Sequence, residues 1–266
     1  MNVKLIRYDP DALDMLVMTK QTRLSFTPED LQAVRDWPME RKLSELNYML
    51  GTIESSWEFC DYIFLITGVS RAFTHQFVRS REGSYAQQSQ RTVDMSGFEY
   101  ISTGEQITDK ESEAYSIYHD AMHNINHAYH DLINVGVAPQ DARGVLPTNV
   151  ATSIIGKFNL RTLSHMAGLR LCTRTQGEYQ DVFRLMREAV IEVHPWAEPF
   201  LRVHCARHGV CCFPHFKECP IKGMVFNPDT AERWDLDEDR PATRDEIQEA
   251  WSKIRFEARP KENPRA

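Results

Sequence analysis

Residues 74–94, THQFVRSREGSYAQQSQRTVD, set Arg79, Arg81 and Arg91 among Ser80, Ser84, Gln87, Gln88, Ser89 and Gln90, without a single lysine. A guanidinium offers a planar fork of donors that matches phosphate or carboxylate, and serine and glutamine add neutral hydrogen bonds. Gly83 lets the chain turn tightly beside a ligand. The segment fits a seat for an anionic, planar molecule such as a nucleotide. It also fits a solvated loop whose arginines pair with some of the 38 acidic residues.

Two further groupings have spacings that chemistry could use. His119, His123, His127 and His130 recur at i, i+4, i+8 and i+11, so they share one helical face. A metal would take two or three of them with a carboxylate, and Asp120 and Asp131 are near in sequence. The HExxH order is absent, which favours a polar or subunit-facing helix surface. In residues 203–220, VHCARHGVCCFPHFKECP, Cys205, Cys211, Cys212 and Cys219 lie among His204, His208 and His215. Packed thiols, a structural zinc and a redox or disulfide role are all open, but the spacing lacks a CxxC knuckle. Cys60 and Cys172 fall in apolar patterns and are expected in the core.

The elements that must position these residues are those of an ordinary globular chain. Its 266 residues are 42% hydrophobic and 26% charged, enough for a sizeable core. No stretch approaches the roughly 18–20 apolar residues of a membrane span. A net charge of −7 argues against broad nucleic-acid binding. The opening MNVKLIRYDPDALDM has no apolar leader run, so a cytoplasmic protein with reduced thiols is expected. Patterning predicts a strand through about residue 8, then a helix with Leu13, Leu16 and Val17 inward. A helix over 39–50 should bury Leu43, Leu46, Tyr48 and Leu50. A strand over 59–67 should end at Gly68, with a short helix over 69–79 after it. Residues 105–134 contain neither Pro nor Gly and read as the longest helix. Pro139 and Pro147 bracket a turn, 153–159 reads as a buried strand, and helices follow at about 160–173, 178–193 and 243–255. The expected class is α+β, a single body over residues 1–200 with a Cys/His-bearing segment and polar tail over 201–266.

The order of residues in the arginine-rich loop resembles the signature of flavin-dependent thymidylate synthases: Arg-His-Arg, seven residues, then Ser. Here Arg79-Ser80-Arg81 precedes seven residues and Ser89, with serine in place of the middle histidine. Other segments match in order. RLSF (23–26) resembles the family's Arg-x-Ser-Phe. IESSWEF (53–59) resembles His-Glu-Thr-Pro-Phe-Glu-His, keeping Glu54 and Glu58 and a hydroxyl at Ser55, with Ile53 for the leading histidine. ARGVLP (142–147) is similar to Arg-x-x-Leu-Pro. NLRTLSHMAGLRLCTRTQGE (159–178) resembles the family's Asn-x-Arg-Ser-Leu helix pair.

The resemblance implies a homotetramer with shared sites in which FAD, dUMP and methylenetetrahydrofolate meet, and NADPH reduces the flavin. It implies no metal, no nucleic acid and no membrane partner. Gln76, Arg79, Gln88, Ser89, Gln90, Arg91, Arg143 and Arg170 would contact dUMP, with Arg170 against the uracil ring and Arg170 and Ser89 closest to the chemistry. Ser55, Glu58, Arg79, Ser80, Arg81, Asn159, Arg161, His165 and Arg174 would lie at or beside the flavin. The expected reaction is methylation of dUMP to dTMP. A one-carbon transfer to another pyrimidine nucleotide, or nucleotide and flavin binding without turnover, are the alternatives that Ser80 and Ile53 leave open.

Overall fold

The computed structural model of the chain describes residues 1–25, 28–213, 215–216, 218–225 and 242–254. Phe26 of the RLSF segment and the tail residues 226–241 and 255–266 lie outside these. The class is α+β, as expected, with a small antiparallel sheet among many helices.

The chain opens with β1 (Asn2–Tyr8), followed by α1 (Ala12–Gln21), α2 (Pro28–Arg35) and α3 (Met39–Leu50). A 3-10 turn over Glu54–Phe59 leads into β2 (Asp61–Ser70), α4 (Arg71–Phe77) and β3 (Ser84–Gln87). Then come α5 (Glu105–Thr108), α6 (Glu113–Asn134) and α7 (Pro139–Ala142). After β4 (Ala151–Asn159) the described chain has α8 (Leu160–Arg170), α9 (Gly177–Val193), α10 (His204–His208) and α11 (Arg244–Ser252). The strand order is β1-β2-β4-β3. No helix among the described residues is long and apolar enough to cross a membrane.

Contacts sort the chain into two compact units. One holds Met1–Lys4 and Phe64–Gly156, and the other holds Leu5–Ile63 and the described residues from Lys157 onward. In the first, Met95, Phe98, Tyr129, Ala142 and Val150 form a buried cluster on which Tyr100, Ile125 and Leu146 pack. In the second, Trp57 meets Phe200 edge to face at 4.8 Å, a favoured arrangement for two buried rings. Around them Leu16, Val17, Leu163, Tyr179 and Phe183 are buried.

Several expectations need correction. The inward stripe of α3 is Lys42, Leu46 and Met49, while Leu43 and Tyr48 are exposed. Lys42 is tolerated inside because its ammonium pairs with Asp14 at 2.5 Å and donates to the Arg35 carbonyl at 2.8 Å. Gly68 does not end its strand. It takes φ +65°, and a Cβ there would stand 3.1 Å from the Met1 nitrogen, so β2 continues past it to Ser70. Residues 105–134 are two helices. Asp109 leaves helical geometry and its side chain accepts from Glu111, and the Ser112 hydroxyl then caps α6 by accepting from Ala114. β4 alternates in burial and is covered on one face only.

Burial holds His194, His204 and His208 below the ordinary imidazole range, and His194 Nδ1 meets the Tyr62 hydroxyl at 3.0 Å. Above an unfolded pKa of about 6.5 these rings are neutral in both states. Below it the unfolded chain takes up protons that the fold resists, so stability falls as pH drops toward the folded values. Urea denaturation should therefore show a lower midpoint at pH 5.5 than at pH 7.5, with part of the drop removed by His194→Gln. Equal midpoints for the wild type would show that these histidines protonate freely in the fold.

Candidate functional site

The arginine-rich loop belongs entirely to the first unit, and its scaffold is built from short polar contacts. Ser70 caps α4, its hydroxyl accepting from Phe73 N at 3.0 Å, and the backbone of Arg71 and Ala72 donates to the carbonyls of Val150 and Thr148. From β3, Gln87 donates to the Thr74 hydroxyl at 2.7 Å. The Tyr85 hydroxyl donates to the Ser80 carbonyl at 2.7 Å, and Gly83 N reaches the same oxygen at 3.1 Å. The Arg79-Ser80-Arg81 turn is thus pinned through its backbone, which leaves its side chains outward. The Ser80 side chain is half-buried.

Beyond β3 the loop continues beside β4, with Gln88 N donating to Ser153 O at 3.0 Å. Arg71 Nη1 donates to the Gln88 carbonyl at 3.1 Å. The Ser89 hydroxyl accepts from Arg91 N, and Arg91 Nε donates to Gln140 at 3.2 Å. Gln90 Nε2 is buried with no partner among the described residues, a donor that a ligand acceptor would satisfy. Burial lowers the pKa of Arg71, and the neighbouring Arg143 guanidinium lowers it further. Two cations therefore lie near one another. Among the described residues Arg79, Arg81, Arg91 and Arg143 make no ion pair with a carboxylate.

The second unit gathers the remaining site positions. Asn159 caps α8, its side-chain oxygen accepting from Thr162 N at 2.8 Å, so only its amide NH2 is left for a ligand. Arg161 pairs with Glu58 at 2.5 Å and with Glu54 at 3.9 Å, and His165 Nε2 lies 3.5 Å from Glu54. Ser55 is exposed beside them. Arg161 is thus held in surface ion pairs, whereas the guanidinium groups of Arg174 and Arg170 sit over the rings of Phe213 and Tyr179 at 4.6 and 4.5 Å. A cation on an aromatic face keeps its charge and its edge donors for an anion. Sequence reasoning missed Arg71, Thr74 and Tyr85. The available signal for Arg71 was its place within the matched segment before the loop.

The other two groupings resolve differently. Among the described residues no three His, Cys, Asp or Glu side chains could hold a metal ion. On α6, His123 and His127 meet each other at 3.2 Å, His130 meets Asn134, and His119 meets the Tyr100 hydroxyl at 2.5 Å. The histidine face is a polar helix surface. All six cysteines are free. Cys172 is not inside a helix as expected but in the turn after α8, where it joins Cys205, Cys211 and Cys219. Burial pushes the Cys172 thiol up to about 11 and Cys205 up to about 12, and raises Cys60 as well. Thiols held so high are poor nucleophiles. Ellman's reagent should therefore react in the native protein with Cys212, the exposed thiol, and with Cys60, Cys172 and Cys205 only on unfolding. Fast reaction of all six would refute this ordering.

The sequence is similar to proteins of one family. Residues 4–196 match the family model described as thymidylate synthase complementing protein. The chain is 34% identical over 211 residues to the flavin-dependent thymidylate synthase of Clostridium tetani, an alignment covering 73% of this chain and 83% of that one. It is 32% identical over 225 residues to that of Geobacter sulfurreducens, covering 80% and 94%. To that of Pyrococcus furiosus it is 39% identical over 166 residues, covering 59% and 67%. The matched span carries both the arginine-rich loop and the Glu54–His165 cluster, and the chain belongs to the flavin-dependent thymidylate synthase family.

Proposed function

We propose that this enzyme methylates dUMP to dTMP, taking the carbon from methylenetetrahydrofolate and using FAD reduced by NADPH. The observation that carries the reading is the set of arginines with no carboxylate partner among the described residues. In a chain of net charge −7, Arg79, Arg81, Arg91, Arg143, Arg170 and Arg174 keep their charge for a ligand. A nucleotide phosphate and a flavin diphosphate are anions that such guanidinium groups hold well.

The residues present fit both groups. Arg91, Arg143 and Gln88 would hold the dUMP phosphate and sugar, and the unpartnered Gln90 amide would donate to the nucleotide. Ser89, whose oxygen already accepts from Arg91 N, keeps its hydroxyl proton to donate. Arg79, Ser80, Arg81 and Arg174 would hold FAD with Ser55, Glu58, Asn159, Arg161 and His165. When bound, reduced FAD supplies the hydride that completes the methyl group. Arg170, kept in place on Tyr179, would lie against the uracil and favour negative charge on the ring as C5 becomes nucleophilic.

We take residues 1–200 as the synthase-like body and 201–266 as its appendage, supported by a family match that stops at 196. A homotetramer with shared sites fits the 22-residue α6, which buries only Met122 and Tyr129 and exposes Ile117, with Val135 exposed at its C-cap. Ser80 and Ile53 favour one second reading, transfer of the one-carbon unit to a different pyrimidine nucleotide. Mass spectrometry of the product from dUMP, methylenetetrahydrofolate and NADPH, with FAD added, separates the two. A product heavier than dUMP by one methylene supports methylation, and unchanged dUMP beside a modified second nucleotide supports the other. Failure of the purified protein to bind FAD would remove both.

A further inference from the structure

We propose that Arg207 of α10, beyond the residues 4–196 that the family model matches, positions the Glu54–Arg161–His165 cluster and is thereby needed for tight FAD binding. The proposal rests on the flavin reading of that cluster. The two halves of the cluster come from different elements, the 3-10 turn Glu54–Phe59 and α8. Their direct links, Arg161 with Glu58 and Glu54 and His165 with Glu54, join partly exposed side chains. Exposed ion pairs of this kind hold geometry weakly. Something more buried must fix the turn against the helix.

Arg207 stands where that is done. Its Nη1 donates to the Ser164 carbonyl at 3.0 Å, one residue before His165, and its guanidinium lies 5.8 Å from the ring centre of Trp57, one residue before Glu58. Ser164 in turn donates its hydroxyl to the Phe200 carbonyl at 2.7 Å, and Phe200 packs edge to face on the fully buried Trp57. Arg207 therefore ties both sides of the cluster at their backbone and ring supports. Burial disfavours its charge, and the field of Glu54 offsets part of that. His208, the next residue, feels the same carboxylate. The chain has the buried Ile53 where the family motif begins with histidine.

The test uses the full chain with Arg207→Met, Arg207→Gln and Arg207→Lys. Methionine keeps the stem without charge or donors, glutamine keeps a donor for Ser164, and lysine keeps the charge. FAD affinity is read by fluorescence quenching, the bound flavin by its visible spectrum, and the fold by melting without flavin. Arg207→Met should weaken FAD five- to tenfold and shift the bound-flavin spectrum, and Arg207→Lys should recover part of both. Affinity for dUMP should stay within twofold throughout. If the methionine variant does not fold, Arg207→Gln decides, and it should lose FAD affinity without a matching fall in melting temperature. Wild-type FAD affinity and spectrum in the folded variant would overturn the positioning role. A wild type that binds no FAD would instead overturn the flavin reading beneath it.

Discussion

Arg143→Ala is expected to weaken dUMP binding by about 10- to 100-fold while leaving the free protein as stable as the wild type, or slightly more so. The affinity loss is that of one charged hydrogen bond to phosphate, about 1.5–3 kcal/mol. The stability side follows from its neighbour. Arg71 is half-buried and lies close enough to Arg143 for the second guanidinium to depress its pKa, and among the described residues neither has a carboxylate partner. Two like charges held together cost the free fold something, at most about 1 kcal/mol at a solvent-facing site. An anion seated between them turns that cost into binding energy, and removing one cation relieves it at the expense of function. Calorimetric titration with dUMP and thermal melting without it measure both effects. Binding should also weaken with added salt, because exposed charges are screened. Unchanged dUMP affinity in Arg143→Ala would place the phosphate elsewhere.

What the sequence shows of the site and what it hides have a common physical cause. The loop chemistry was legible because residues 74–94 carry it contiguously, so spacing alone sets Arg79, Ser80, Arg81 and Ser89 in order. The supports were not legible. Tyr85 pins Ser80 through a backbone oxygen, and Arg207 reaches Ser164 across 43 positions. Bonds to carbonyls leave no mark in residue type. The fold errors follow the same rule. Leu43 and Tyr48 were assigned inward for their apolarity, yet spacing selects positions 42, 46 and 49, and Lys42 can fill one because Asp14 on α1 neutralises it. The break between α5 and α6 needs no Pro or Gly, since Asp109 and Ser112 offer side-chain bonds that compete with the helix. The short α2 was missed altogether, having an amphipathic pattern too brief to stand out.

Ser80→His is expected to raise FAD affinity about tenfold. Ser80 is where this chain departs from the family triplet. Its backbone is held independently of its side chain, by Tyr85 and Gly83 at the carbonyl and by Phe77 at the amide. The side chain is half-buried, and among the described residues its hydroxyl has no partner that the larger ring would displace. An imidazole there adds a flat surface and a donor that can carry charge near neutral pH, beside two arginines already free to meet a diphosphate. A hydrogen bond to a charged group contributes about 1.5 kcal/mol or more, which is roughly tenfold. The opposite outcome has an equally definite cause. If the pocket has been reshaped for another ligand, the ring overpacks it at a cost of about 1–3 kcal/mol and flavin is lost. Fluorescence titration with FAD, paired with product analysis on dUMP and on other pyrimidine nucleotides, separates the two. Loss of flavin from Ser80→His, together with a wild type that modifies a nucleotide other than dUMP, would replace thymidylate synthesis by one-carbon transfer to that nucleotide.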